Sequence, residues 1–156
     1  MLKAFKSFFT PTPLQIEAHK LYADLVIQSR NPRFYSHMGV ADTLDGRFDM
    51  IILHLFLATQ KLRRAQAPDA MIRALHEAFF EDMDRNLREM GASDTGVGKR
   101  VKKMSQAFFG RMQAYEQAMA DDAALQAALK RNVFRGSGVD ANALAALTAY
   151  IRAELT

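Results

Sequence analysis

A chain of 156 residues and 17.5 kDa is the size of one domain, and its 49% apolar and 24% charged residues are enough to build a folded core. The absence of cysteine excludes disulfides, thiolate metal sites and cysteine nucleophiles. The net charge of +4 is unevenly placed: residues 1–64 carry nine basic and five acidic side chains, 65–95 three and seven, 96–119 five and one, and 120–156 four of each, so two basic regions flank an acidic one.

At the N-terminus, Lys3 and Lys6 stand among Leu2, Phe5, Phe8 and Phe9, and Pro11 and Pro13 follow before any apolar stretch of signal length. No export signal is read there, and Leu2 to Phe9 is expected to pack on the body or fray, with rest on a membrane as a short basic anchor as the alternative. Thr12, Pro13 and Gln15 form the signature of a capped helix start, with Leu14, Ala18, Leu21 and Leu25 as its apolar stripe. That helix should stop near Arg30, because Pro32 disfavours helix at Asn31.

Residues 31–46, with a proline, two glycines and the aspartates Asp42 and Asp45, read as a long ordered surface loop anchored by Phe34 and Tyr35. A second helix, from about Arg47 to Gln66, is apolar on so many sides that it belongs at the centre. Its most apolar stretch, Met50 to Ala58, encloses His54 and is far shorter than the about 20 residues a membrane-spanning helix needs. A third helix follows Pro68 and is closed by Gly91.

A turn from Ala92 to Gly98 leads into a fourth helix marked by Val97, Val101, Met104, Phe108, Met112, Tyr115 and Met119, with Lys99, Arg100, Lys102 and Lys103 outside. Two shorter helices open at Asp121 and Asp140, separated by a Gly-Ser turn at Arg135 to Gly138. The expected fold is all-α: a single-domain bundle of about five to six helices with a long ordered loop between the first two.

A search for catalytic chemistry returns no candidate. Glu77, Glu81, Asp82 and Asp84 read as a solvated face whose Glu81 and Asp84 pair with Arg85 and Arg88. None of His19, His37, His54 and His76 stands three residues after a glutamate, and Phe80 occupies the place of the second histidine in a zinc-protease motif beginning at His76-Glu77. His54 reads as a hydrogen-bonded core residue. Gly96-Val97-Gly98-Lys99 approaches a phosphate-binding loop, but Ser93 and Arg100 break the pattern. No catalytic residue, metal or cofactor is expected.

Two blocks of residues carry a resemblance. One runs Ser29-Arg30-Asn31-Pro32-Arg33-Phe34-Tyr35, through Gly39 to Thr43 and Asp45-Gly46-Arg47-Phe48-Asp49-Met50, to Leu53-His54. The other runs from Asp82 to Gly91 and continues through Asp94, Gly96 to Lys99, Lys103-Met104, Phe108, Gly110-Arg111 and Ala114-Tyr115. In these residues the chain resembles the ubiquinol-cytochrome c chaperone family, with the family-like core at about 14–119 and a C-terminal helical pair at about 121–155 within one domain.

The resemblance implies a chaperone for newly made cytochrome b and an assembly factor for ubiquinol-cytochrome c reductase. In mitochondrial relatives this role involves a small protein partner and the ribosomal tunnel exit. No targeting presequence is read, which implies a bacterial member in the cytoplasm, peripheral on the cytoplasmic face of the inner membrane.

On this reading apolar grooves beside the central helix, under the Pro32 to Gly46 loop, shelter a hydrophobic client, while the Lys99 to Lys103 face of the basic helix meets rRNA or headgroups. The expected contact residues are Arg30, Pro32, Phe34, Tyr35, Asp42 and Arg47 in the loop, and Lys99, Arg100, Lys102, Lys103 and Arg111 on the basic helix. Arg30, Asp42, Asp45 and Arg47 are alternatively structural, holding the loop by charge-assisted hydrogen bonds. The alternative of another class is a helical RNA-binding or ribosome-associated module using the basic helix.

Overall fold

The first helix, α1 (Pro13–Ser29), begins at the expected capping box: the Thr12 hydroxyl accepts from the Gln15 amide at 3.2 Å, and the Gln15 side chain accepts from the Thr12 amide at 2.9 Å. The computed structural model describes residues 10–156, so the expectation for Leu2 to Phe9 lies outside the described residues.

The segment read as one long loop contains a helical turn, α2 (Pro32–Ser36). Pro32, which ends α1, starts α2, because a proline at the first helical position needs no N–H partner and Asn31 caps the turn by accepting from the Arg33 amide at 3.0 Å. The central helix, α3 (Leu44–Arg64), also starts earlier than expected, since Thr43 caps it by accepting from the Gly46 amide at 3.0 Å. Here the chain folds back so closely that a Cβ on Gly46 would lie 1.9 Å from the Ala41 carbonyl oxygen. Only glycine fits.

Four further helices follow: α4 (Asp69–Glu89), α5 (Asp94–Ala118), α6 (Asp122–Asn132) and α7 (Ala141–Glu154). Gly91, at φ +84°, closes α4 as expected. Ser93 caps α5 by accepting from the Gly96 amide at 3.1 Å, so the turn expected to reach Gly98 ends before Asp94, and both glycines lie inside the helix. Asp121 and Asp140 cap α6 and α7 where expected. Among the described residues the class is all-α.

Helix α3 is buried continuously from Asp49 to Leu57 because apolar layers cover it on two sides. On one side Ile51, Ile52 and Leu55 join Tyr22 and Leu25 of α1, Leu75 and Phe79 of α4, and Phe108 of α5. On the other, Met50, Leu53, Phe56 and Leu57 join Phe34 of α2, Tyr115 of α5, Leu129 of α6 and Leu147 of α7. Each layer buries side chains worth roughly 1.5–3 kcal/mol apiece, so α3 is the common floor of both.

The imidazoles and the threonine drawn into this interior are paired, whereas the buried Tyr115 hydroxyl has no hydrogen-bond partner among the described residues. His54 donates from Nδ1 to the Met50 carbonyl at 2.7 Å, and its Nε2 accepts from the Tyr150 hydroxyl at 2.8 Å, which accepts in turn from Gln28 at 2.9 Å. Thr59 donates to the Leu55 carbonyl at 2.7 Å, leaving its oxygen to accept from His76 Nε2 at 2.9 Å. Burial pulls His54 and His76 down to about 4, so both are neutral at pH 7.

On the acidic face of α4 one expected pair changes. Arg88 does bond Asp84, at 2.9 Å, but Arg85 bonds Asp82 at 2.7 Å. Glu81 is taken instead by His19 of α1 at 2.8 Å, because the α1–α4 packing brings the imidazole within reach.

Two outcomes follow from this packing. Gly46→Ala should lower stability by about 2 kcal/mol or more, read as a lower denaturant midpoint at an unchanged slope, because backbone must shift to admit the methyl group. Stability should also fall as pH drops from about 6.5 to about 4, where the unfolded chain takes up protons that folded His54 and His76 refuse. The contribution is fully present above the unfolded histidine value. His54→Gln should flatten the slope between pH 7 and pH 5 in chemical denaturation, and an unchanged slope would refute the assignment.

Candidate functional site

The first turns of α3 carry a carboxylate into the interior, since Asp49 is 0% exposed. A buried carboxylate must be paired, and two guanidiniums converge on it. Arg135, in the turn between α6 and α7, donates from Nε and Nη2 at 2.8 and 3.1 Å, and Arg111 of α5 lies at 2.9 Å. Arg135 also reaches Asp45 at 3.4 Å, and the Arg111 guanidinium sits 5.8 Å from the centre of the Phe48 ring. Burial raises the Asp49 carboxyl, and Arg135 and Arg111 counter that rise.

Above this cluster lies an open groove of about 760 Å³ between the N-terminal part of α3, the C-terminal half of α4 and the N-terminal half of α5. Its floor is apolar: Phe48 and Ile51 from α3, Met83 and Leu87 from α4, Met104 and Ala107 from α5. Two large apolar side chains at its edges face water, Leu44 at 75% exposure and Met90 at 66%. Its polar lining is cationic, with Arg30, Arg47, Arg100, Lys103, Arg111 and Arg135 against the single carboxylate Asp45.

The residues expected at the site are split by the tertiary structure. Arg30, Pro32, Tyr35, Asp42 and Arg47 line a second hollow of about 620 Å³, which shares Arg30 and Arg47 with the groove. Arg47 is paired with Asp42 at 2.8 Å, the charge-assisted bond expected for this loop. Phe34 is buried, its ring 4.9 Å from that of Tyr150 and 5.3 Å from that of His54, and so it anchors α2 rather than facing solvent.

Of the basic helix, Arg100 and Lys103 line the groove, whereas Lys99 and Lys102 are exposed outside it. Arg111 is turned inward to Asp49, with its side chain only 12% exposed. An apolar groove beside the central helix was expected, but Asp49, Arg135 and the particular side chains of the apolar floor were not among the expected site residues. A lone aspartate inside the run from Phe48 to Leu57 was the available signal for Asp49. Nothing local marks Arg135, whose role comes from a contact 86 positions away.

No group of histidines, aspartates and glutamates able to hold a metal is present among the described residues. The site offers apolar area and positive charge.

The chain is 24% identical over 144 residues to ubiquinol-cytochrome-c reductase complex assembly factor 1 of Xenopus laevis, covering 91% of this chain and 72% of the relative. The mouse and human factors of that name are equally similar at 24%, and the chain spans about half of their length, 49% and 48%. The crystal structure of the Cbp3 homolog from Brucella abortus matches with a TM-score of 0.73 and 34% identity, over 96% of this chain and 83% of that one. The family model described as ubiquinol-cytochrome C chaperone matches residues 36–156, a span that takes in α3, the Asp49 cluster and both of its arginines. By that match the chain belongs to the ubiquinol-cytochrome c chaperone family.

Proposed function

We propose that this protein is a non-catalytic assembly factor for ubiquinol-cytochrome c reductase, and that its client is newly made cytochrome b, held by an apolar segment in the groove beside α3. The observation that carries the reading is the pair Leu44 and Met90, large apolar side chains left in water at the mouth of an apolar groove. Exposed apolar area of that kind marks an interaction site. Met83, Met90 and Met104 line the groove with flexible thioethers, which adapt to clients of varied shape.

The reductase reading is supported by the names of the vertebrate relatives. No helix of the described residues is long and apolar enough to cross a membrane. The proposed workplace is the cytoplasmic face of the inner membrane, reached by peripheral contact. Lys99 and Lys102, exposed beside the groove, are proposed to meet ribosomal RNA or lipid headgroups, and a small protein partner is proposed as in the mitochondrial relatives.

Deletion of the gene should lower assembled reductase and the cytochrome b absorbance of membranes, and the wild-type gene should restore both. Leu44→Glu with Met90→Glu should fail to restore them while folding stability changes by no more than about 0.5 kcal/mol per site, since both positions are exposed. Normal cytochrome b in the deletion strain would refute the reading.

A further inference from the structure

The charges around the groove do not cancel. Arg47 is neutralised by Asp42, and Arg111 and Arg135 are held by Asp49, with Asp45 also beside Arg135. Arg30, Arg100 and Lys103 have no carboxylate within ion-pair distance among the described residues, yet all three line the groove. The site therefore presents an apolar floor with an uncompensated cationic rim.

An occupant must cover the floor and bring negative charge to the rim. A free inorganic anion would leave the partly exposed Phe48 and Met104 wet. An acyl chain would cover them but would itself stay half in water, because Leu44 and Met90 mark the groove as open to solvent. A helix solves both requirements, since it lays an apolar stripe on the floor, turns its own polar face outward, and can carry carboxylates along the edge of the stripe.

We propose that the groove binds an amphipathic helix with acidic residues along one edge of its apolar stripe, the stripe seated on Phe48, Ile51 and Met104 and the carboxylates paired with Arg30, Arg100 and Lys103. The proposal rests on the reading of the groove as the client site and specifies the chemistry of the segment bound there. A bare apolar span would leave the rim unmatched, so the recognised segment is one where apolar turns meet acidic residues.

The test uses the full chain and three labelled synthetic helices of about 18 residues that share one apolar stripe and carry Glu, Gln or Lys along its edge. Fluorescence anisotropy should show the Glu peptide binding, the Gln peptide roughly tenfold weaker and the Lys peptide weakest, with the Glu affinity falling as salt rises. Arg100→Glu with Lys103→Glu, or Arg30→Glu as an independent variant, should lose affinity for the Glu peptide and gain it for the Lys peptide.

Equal binding of the Glu and Gln peptides, or indifference to the charge reversals, would overturn the proposal. So would failure of every peptide combined with charge-dependent binding to vesicles containing phosphatidylglycerol, which would assign the rim to a membrane surface. If the peptide order fails while Leu44→Glu with Met90→Glu still abolishes reductase assembly, the assembly reading survives and this inference alone is lost. If the order holds while the deletion strain assembles normal reductase, the assembly reading alone is lost.

Discussion

The Asp49 carboxylate is the constraint on which the arrangement of helices depends. It enters the interior on α3 and is fully buried there, so it is tolerable only with its partners in place. Those partners come from α5 and from the turn after α6, which ties the central helix to two distant parts of the chain through one charge. Apolar layers are nondirectional and accept small shifts, whereas a carboxylate gripped by two guanidiniums fixes both distance and angle.

The same cluster shapes the functional surface. Arg111 and Arg135 line the groove, and because Asp49 holds both and Asp45 also lies beside Arg135, two carboxylates already offset the positive charge they present. The free charge lies instead on Arg30, Arg100 and Lys103, so electrostatic recognition is displaced to the rim. The floor stays apolar because α3 sends Phe48 and Ile51 toward the groove. Structure and surface thus share residues: the first turns of α3 hold the bundle together and also form one wall of the site.

The groove lies at the N-terminal part of α3, with walls from α4 and α5, while the two layers around Leu53 and Leu55 bury the middle of the helix. Here the molecule leaves apolar side chains unburied, at Leu44 and Met90, although burial would stabilise an isolated domain. A binding surface retains that unrealised burial energy for its partner.

The helical class, most helix boundaries and the central place of α3 were legible in the sequence because they rest on local signals: apolar spacing, the Thr12 capping box, the aspartate caps of α6 and α7, and Gly91 at the end of α4. Boundaries misread at Asn31, Thr43 and Ser93 were also local: at Asn31 the cap and Pro32 together start a helical turn, and at Thr43 and Ser93 a capping side chain competed with nearby glycines and prevailed. The division of the cationic residues was decided only by the tertiary structure. Arg100 and Arg111 look alike in sequence, and one lines the open groove while the other grips a buried carboxylate. An ion pair between residues 86 positions apart leaves no periodic trace in the chain, since it is set by how whole helices pack.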